Sequence, residues 1–352
     1  MPKTGTIHHA PASPLTEIPV ISLFTGAGGL DLGFRGASFR TIFAADKMDA
    51  AVRTFNHNHD NGQVAEVCDL LKVQGKELVR TIRESARTTG LKPMGLIGGP
   101  PCQGVSNANN QAGPSDPRNR LFSRFAGIVL QLTEAFDLRF FVFENVPGLK
   151  RSKNRPLYDR LVRRLRPAFH LHEEILDASL FGVPQTRRRL IMVGFSKRYG
   201  SIPFEFPAPV TPHPPTVRDT IGGLPPPVFF SRTEKVDPRT RTIHPNHWTM
   251  APRSSKFSGV ETRHDGRSFI RLQWDLPSRT VAYGNREIHV HPDGTRRLSV
   301  YEAMRLQGFP PGYELVGTLS DQVTLVSNAV PPPLAAAVAR SVANSLRNVR
   351  GK

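Results

Sequence analysis

The sequence predicts a doubly wound α/β domain accompanied by a second, smaller and irregular domain. Over the first part of the chain, short apolar runs alternate with segments of helical length. This rhythm is typical of parallel strands joined by crossover helices. Beyond residue 195 proline becomes dense and the alternation stops, which indicates a different architecture. A length of 352 residues is also typical of about two domains.

The individual elements follow from these runs in chain order. Strands are predicted at residues 18–24, 41–45, 94–97, 140–143 and 190–195, and helices at 30–34, 49–56, 76–88 and 121–136. Asp116 and Pro117 resemble a helix cap with proline at the first helical position, which predicts the start of the helix at 121–136. The basic segment 150–166 predicts a solvated helix face, and phosphate contact is the less favoured alternative.

Charge and cysteine content restrict the class of protein. The net charge is +18, from 47 lysines and arginines against 29 acids, which favours a polyanionic partner such as nucleic acid. Neither a membrane span nor a signal peptide is evident, so an intracellular protein without a membrane role is expected. Two cysteines, Cys68 and Cys102, are too few for a disulfide framework or a cysteine-based zinc site.

The second of these cysteines lies in the most informative turn of the chain. The run GGPPCQG at residues 98–104 follows the predicted strand 94–97. Glycines allow close backbone approach and prolines fix the chain, so Cys102 can project from a strand end into a cleft as a nucleophile. From this turn alone, a nucleophile and a passive thiol are equally favoured.

A glycine-rich turn, FTGAGGL at residues 24–30, follows the first predicted strand. A strand, a tight glycine turn and a helix form a nucleotide-type pocket in which backbone amides meet the ligand. Asp46 and Asp69 lie at later strand ends, where they can bind ribose hydroxyls and an adenine amino group respectively. The same pattern is compatible with a nicotinamide oxidoreductase, although the glycine spacing departs from the dinucleotide motif.

Two further groups of polar side chains adjoin predicted strands. Glu144 ends the strand at 140–143, so it can share a cleft with Cys102 and act as a general acid. A helix-capping pair of Glu144 and Asn145 is the structural alternative. The arginines at 187–189 precede the strand at 190–195 and can grip a phosphate and a base carbonyl, or form a solvated turn.

Six ordered motifs together resemble the DNA (cytosine-5) methyltransferase family. They are FTGAGGLDLGF at 24–34, GGPPCQGVS at 98–106, FENVPG at 143–148, FGVPQTRRRLIMVG at 181–194, RRLSVYEAMRLQGFP at 296–310 and SNAVPPPLA at 327–335. The resemblance covers residues 19–342. It implies a doubly wound, Rossmann-like methyltransferase fold and an enzyme of the bacterial modification type.

The resemblance implies S-adenosylmethionine as the cofactor and no metal. The positions that match its binding site are Phe24, Gly26, Gly28, Gly29, Asp46, Asp69, Pro100, Asn328 and Val330. The last two return from the C-terminal part of the chain to complete the pocket.

The resemblance also implies a covalent mechanism. Cys102 matches the nucleophile that adds to cytosine C6, and Glu144 matches the acid that neutralises charge developing on N3. Arg187 and Arg189 match the arginines around the base, supported by Gln185. Because C6 is inaccessible in a stacked duplex, the target base must rotate into the pocket.

Contacts to DNA are assigned to Gln103, Ser106 and Arg118 as well as Gln185. Residues 106–120 resemble the loop that closes over the flipped nucleotide. The implied organisation is a flexible arm at 1–17, a catalytic domain at 18–195 plus 322–348, and a target-recognition domain at 196–321.

Within the recognition region, at about 196–283, Arg263, Arg267 and Arg271 are candidates for guanine contacts. Phosphate contact or solvent exposure is the favoured alternative for these arginines. Arg296 and Glu302 match a motif that braces the smaller domain.

Three positions depart from the pattern of the family. Asp46 stands where glutamate is usual, Ser327 where glycine is usual, and Tyr301 where arginine is common. None of these changes removes a catalytic group, so an active enzyme is expected.

The resemblance places the protein in a bacterial cytoplasm, associated with the nucleoid, where it acts as a monomer on duplex DNA. A cognate restriction endonuclease is the implied functional partner and need not bind physically. An RNA cytosine-5 methyltransferase built on this scaffold and a catalytically silent DNA-binding protein are the alternatives. The long basic recognition region favours duplex DNA, and the presence of Cys102 and Glu144 argues against the silent protein.

Overall fold

The computed structural model describes residues 17–59, 62–101, 120–230, 243–251, 270–280 and 289–350. Its first part contains the strands β1 Ile18–Leu23, β2 Phe39–Asp46, β3 Ala65–Val67, β4 Gly95–Gly98, β5 Phe140–Asn145, β6 Phe169–Asp177, β7 Gln185–Thr186 and β8 Arg188–Ser196. The helices between them are α1 Gly29–Arg35, α2 Asp49–His57, α3 Gly75–Thr89, α4 Arg120–Phe136 and α5 Arg155–Leu165. The predicted alternation of strands and helices is confirmed, whereas the predicted cap at Asp116 and Pro117 lies outside the described residues.

Seven of these strands form one sheet in the order β3-β2-β1-β4-β5-β8-β6. All neighbours from β3 to β5 are parallel, as a doubly wound fold requires. Strand β8 runs antiparallel to both β5 and β6, so the sheet is mixed rather than wholly parallel. The reason is the connection from β6 to β8, which contains a short 3₁₀ turn, Ala178–Phe181, and no crossover helix.

Apolar helices cover both faces of the sheet. Helices α3, α4 and α5 pack on one face through a cluster rich in aromatic side chains, including Phe125, Phe141 and Phe143. Their rings meet edge to face, at centroid separations such as 5.2 Å between Phe125 and Phe143. Helix α1 and the last helix of the chain, α9 at Pro332–Arg350, pack on the other face, where Phe34 and Leu334 are fully buried. Burial on both faces explains why β1, β4 and β5 are continuously apolar.

Beyond β8, the described chain consists of short elements and irregular segments up to α7, followed by two longer helices. It contains α6 Val217–Ile221, β9 Val228–Phe230, β10 Trp248–Met250, β11 Ile270–Arg271, β12 Ser278–Arg279, β13 His289–Val290, α7 Val300–Leu306, α8 Leu319–Asn328 and α9 Pro332–Arg350. The short strands pair only in twos. Ile202 packs into the core beneath α9, while Trp248 and Phe309 share a cluster with Ala50 of α2. The division into domains at 195 and 322 stays a prediction.

None of the helices in the described ranges is long and apolar enough to cross a membrane.

Candidate active site

The carboxyl ends of β1, β2, β4 and β5 meet at one edge of the sheet, which we call the catalytic edge. Parallel strands bring residues that are distant in sequence to this edge, the usual position of ligand sites in open α/β sheets. The chain leaves the edge at Phe24, Lys47, Gly99 and Val146, directly beside the residues predicted to bind cofactor or substrate.

The glycine turn after β1 is held against the end of β2. Phe24 and Gly26 adopt positive φ angles of 58° and 52°, a conformation that favours glycine at the second position. The Gly26 amide donates to Asp46 Oδ2 at 3.0 Å, and the Met48 amide donates to Oδ1 at 2.9 Å. Burial raises the pKa of Asp46, and these amide bonds oppose the rise. Asp46 therefore organises the turn, and its carboxyl group is held at the catalytic edge.

The C-terminal part of the chain closes over the same turn. A Cβ atom on Gly29 would lie 2.1 Å from the Val330 carbonyl oxygen, so only glycine permits this approach. The Tyr313 hydroxyl donates to the Ala27 carbonyl at 2.7 Å. Asn328 lies exposed at the end of α8, two residues before the buried Val330. The predicted return of this segment to the glycine turn is therefore seen in the backbone contacts.

The second acidic position, Asp69, adjoins the end of β2. The amide of Cys68 donates to the Asp46 carbonyl at 2.8 Å, which places Asp69 next to the β2 end. Asp69 Oδ1 accepts from the Leu71 amide at 3.0 Å, and its other oxygen lies 3.7 Å from Lys72 Nζ. Its side chain is half-buried, so part of the carboxyl group remains exposed.

Glu144 at the end of β5 is the most deeply buried acid at the catalytic edge, with 8% exposure. Its Oε1 lies 2.7 Å from Arg189 Nε, and its Oε2 lies 2.7 Å from the position that a Cβ on Gly99 would occupy. Burial raises the pKa of Glu144, while Arg189 and Arg187 lower it by a smaller amount. The carboxyl group therefore retains its proton to higher pH than an exposed glutamate.

Asn145 excludes the alternative in which this pair caps a helix. Its Nδ2 donates to the Pro100 carbonyl at 2.9 Å, linking β5 to the turn that leads to Cys102. The following 3₁₀ turn, Pro147–Lys150, has Val146 as its N-cap residue and no side-chain cap. In the sequence, Asn145 was considered only as a capping residue, although its place beside Glu144 in FENVPG could have suggested a site role.

The arginine motif presents alternate residues to the interior. Gln185, Arg187 and Arg189 are buried, whereas the two residues between them are exposed. Arg187 Nη2 donates to the Ser327 carbonyl at 2.9 Å, which joins the motif to the C-terminal segment. The Gln185 side-chain amide is buried, and neither of its polar atoms has a hydrogen-bond partner in the described part of the chain. The solvated-turn alternative is therefore excluded for these three side chains.

Asp177 fixes the approach to the arginine motif. Its Oδ1 accepts from the Arg187 amide at 3.2 Å and from the Ser179 amide at 3.1 Å. Asp177 and Tyr313 were not predicted from the sequence, because neither adjoins a predicted strand end or the glycine turn at residues 24–30. The signal for Tyr313 exists only in three dimensions, where it meets Ala27.

Several predicted site residues cannot be placed. Cys102, Gln103, Ser106, Arg118, Arg263 and Arg267 lie outside the described residues, as does most of the loop at 106–120. Arg271 is described, and its Nε donates to the Pro292 carbonyl at 2.6 Å.

The bracing motif forms a buried ion pair. Arg296 Nη1 and Nη2 meet the two oxygens of Glu302 at 2.8 and 2.7 Å. The Ser299 amide also donates to Glu302, within a capping box at the start of α7. Tyr301, where the family has arginine, stacks on His244 with a centroid separation of 4.1 Å. These contacts fix the start of α7 and the segment before it.

The fold and this edge define an α/β enzyme whose catalytic edge joins a glycine turn, a buried acid and two buried arginines. The sequence profile of the C-5 cytosine-specific DNA methylases matches residues 18–344, so the chain belongs to that family. Its activity is accordingly that of a DNA (cytosine-5) methyltransferase.

Individual relatives agree over almost the whole length. The Type II methyltransferase M.MthTI of Methanothermobacter thermautotrophicus is 32% identical over 95% of this chain and 99% of that protein. M.FnuDI of Fusobacterium nucleatum, also a Type II methyltransferase, is 30% identical over 93% of this chain and 94% of its own. A putative DNA modification methyltransferase encoded within a prophage of E. coli shares the fold, with a TM-score of 0.73, 23% identity, and coverage of 94% of this chain and 100% of that one.

Proposed function

We propose that this protein flips a cytosine out of duplex DNA, attacks C6 with Cys102 and methylates C5 with S-adenosylmethionine, as the sequence-specific modification enzyme of a restriction-modification system. The buried pair of Glu144 and Arg189 at the catalytic edge carries the proposal. The relatives named as Type II methyltransferases support the modification role, with a cognate endonuclease as functional partner.

The pocket beside the glycine turn fits S-adenosylmethionine. No atom of the described residues lies within 4 Å of the place that a Cβ on Gly26 would fill, so this part of the chain leaves the turn open to a ligand there. The buried Thr25 hydroxyl lacks a hydrogen-bond partner among the described residues, which leaves a polar group for the ligand. Asp46 and Asp69 present carboxylates suited to ribose hydroxyls and an amino group. When bound, the cofactor supplies an electrophilic methyl group for C5.

Covalent activation of the base requires a nucleophile and an acid. Cytosine C5 is a weak nucleophile, so the Cys102 thiolate forms a bond to C6 and shifts electron density to C5. Protonated Glu144 donates to N3 and neutralises the charge that develops there. Loss of the C5 proton after methylation restores the double bond and expels the thiolate.

The arginines position the base in this scheme. Arg189 holds Glu144 through one carboxyl oxygen and leaves the other directed at Gly99. Arg187 is 1% exposed and tied to the Ser327 carbonyl, so its guanidinium is fixed before substrate arrives. Preorganised donors of this kind cost no reorganisation during the reaction.

Recognition of the duplex is assigned to the irregular part of the chain. Ser278 and Arg279 of β12 pair with Gln185 and Thr186 of β7, and Thr280 Oγ1 donates to the Thr186 carbonyl at 2.7 Å. A segment of the predicted recognition domain therefore lies directly against the arginine motif. This arrangement supports base flipping into a pocket shared by both parts.

Transfer of a labelled methyl group from S-adenosylmethionine to duplex DNA and to tRNA tests the proposal. We expect label in DNA cytosine, which bisulfite sequencing then locates at one short sequence. Cys102→Ser should abolish transfer. Cys68→Ser is the matched control and should retain it, because burial raises the pKa of the Cys68 thiol and leaves it unreactive.

The other outcomes separate the alternatives. Label in tRNA alone would assign the protein to RNA modification and refute the DNA substrate. DNA binding without transfer to either nucleic acid, with cofactor binding confirmed, would indicate the silent binding protein.

A further inference from the structure

Positive charge is concentrated on and beside α5. Residues 150–166 contain eight lysines and arginines and only one acid, Asp159. Tyr158, Leu161 and Leu165 are buried against the sheet, so the cations occupy the outward side of the helix. The proposed reaction does not use any of them.

Four of these cations form what we call the basic face: Lys153, Arg160, Arg163 and Arg166. All four are exposed, and none of their side chains has a hydrogen bond or an ion pair with another described residue. By contrast, Lys150 meets Glu173 at 2.7 Å and Arg155 meets Asp159 at 2.8 Å. The basic face is therefore not needed to hold the fold together.

The basic face begins near the catalytic edge. Residues 147–154 join the carboxyl end of β5 to α5, so Lys153 lies toward that edge and α5 runs away from it. The 11 residues of α5 extend over about 16 Å. Arg188 is exposed at the start of β8. Leu190 and Met192, which point to the same face of the sheet as Arg188, pack in the same apolar cluster as α5. Positive charge thus continues from the catalytic edge along the side of the sheet.

General solubility does not explain this arrangement. Helix α3, which covers the same face of the sheet, carries both signs of charge: its exposed cations are interspersed with the exposed acids Glu77 and Glu84, which is the mixture typical of a solvated helix. A face of one sign costs self-repulsion unless a polyanion neutralises it. The basic face therefore has the character of a binding surface.

We propose that the basic face of α5 binds the phosphates of duplex DNA outside the segment held at the catalytic edge. The inference rests on the proposed function, because it takes duplex DNA as the substrate. Arginine and lysine neutralise phosphates and release counterions without reading sequence. The face would lengthen the residence of the enzyme on DNA without altering the chemical step.

The salt dependence of binding tests this inference. We compare the intact protein with a triple variant, Arg160→Gln, Arg163→Gln and Arg166→Gln, on duplexes of about 14 and about 40 base pairs that share the same centre. On the long duplex, the slope of log K against log salt should fall in magnitude by about 2 to 3, one phosphate contact for each lost charge. On the short duplex the slope and the rate of methylation should be unchanged.

A second triple variant on α3, Lys76→Gln, Arg80→Gln and Arg87→Gln, removes the same charge from exposed positions and should leave both slopes unchanged. A wild-type slope in the α5 variant on the long duplex, or an equal loss in the α3 variant, would overturn the inference. The number of short duplexes bound per protein molecule gives a further test. If wild type binds two and only the α5 variant loses the second, the result would support DNA binding by the basic face and show that it can hold a separate DNA segment.

Thermal unfolding of both variants serves as the control that they fold. The binding measurement does not depend on methyl transfer. A protein that binds duplexes but methylates none would therefore refute the proposed function, while the salt dependence of binding could still be compared between the variants.

Discussion

At Glu144, the two carboxyl oxygens face different neighbours. Oε1 is held by Arg189, whereas Oε2 faces the Cα of Gly99, where an added Cβ would lie 2.7 Å away. We expect Gly99→Ala to push the carboxyl group aside, because a side-chain end moves more readily than backbone. Single-turnover methylation should fall about 100-fold, while urea unfolding stays within about 0.5 kcal/mol of wild type. A variant with full activity would show that the position of Oε2 is unimportant.

The protonation of Glu144 sets a limit on activity at high pH. Burial raises its pKa, against the effect of Arg189 and Arg187, and the protonated form is the one that donates to N3. The Cys102 thiolate becomes more abundant as pH rises, so the wild-type rate should rise and then fall. Glu144→Gln should lower the rate by about 10²- to 10⁴-fold and remove the descending limb. Persistence of that limb in the variant would assign it to another group.

Some site residues could be predicted from local sequence and others could not. Asp46 and Glu144 were found because each directly follows an apolar strand in a parallel sheet, and the structure places both at one edge. Tyr313 and Ser327 contact this edge from more than a hundred residues away, through Ala27 and Arg187. Their contribution depends on tertiary packing, which no local pattern encodes.

At the scale of elements, α1 carries a buried acid that makes stability depend on pH. Asp31 is 6% exposed and accepts hydrogen bonds from the Ser22 hydroxyl of β1 at 2.9 Å and the Thr41 hydroxyl of β2 at 3.0 Å. Burial raises the pKa of Asp31 from 3.8 to about 6, although both hydroxyls oppose the rise. In this range the folded state binds more protons than the unfolded state.

Stability from Asp31 is therefore present below pH 4 and lost as pH rises through about 6. The full shift corresponds to roughly 3 kcal/mol. Asp31→Asn keeps the shape of the side chain and cannot ionise, so the difference in unfolding free energy between variant and wild type should grow in favour of the variant across this window. Urea unfolding at several pH values measures it, and a constant difference would contradict the assigned pKa.

The strands show where periodicity is informative. β1, β4 and β5 are buried on both faces and appear as continuous apolar runs. β6 lies at the end of the sheet and contains His170, His172, Glu173 and Glu174, so its sequence gives no apolar run and no strand was predicted there. Without β6, the antiparallel direction of β8 could not be predicted, because β8 pairs with β6 through a short connection that reverses the chain.

At the scale of the whole molecule, the last helix, α9, and the first, α1, share one apolar core. Helix α9 packs on α1 and buries Leu334 and Val338 on the face of the sheet that α1 covers. The amphipathic pattern of α9 is compatible with packing on any apolar surface, so only the resemblance to the family implied that the chain ends by returning to its beginning.

The contact between these helices depends on Gly33. A Cβ at this position would lie 2.4 Å from Ala335 Cβ and 2.6 Å from both the Ala336 amide nitrogen and the Pro332 carbonyl oxygen. Because two of these atoms are backbone, Gly33→Ala must separate the helices, and we expect a loss of about 1 to 3 kcal/mol in unfolding free energy. Limited proteolysis should then cleave the chain between α8 and α9 sooner than in wild type.

Gly36→Ala is the matched control, because its nearest contact is 3.4 Å and its φ of −64° suits alanine. That variant should unfold like the wild type and resist cleavage as well. If Gly33→Ala were equally stable, the close approach of α1 and α9 would not be what holds the C-terminal segment, with Ser327 and Val330, against the catalytic edge. Cofactor affinity should fall together with stability, since Val330 reaches the glycine turn only while α9 stays docked.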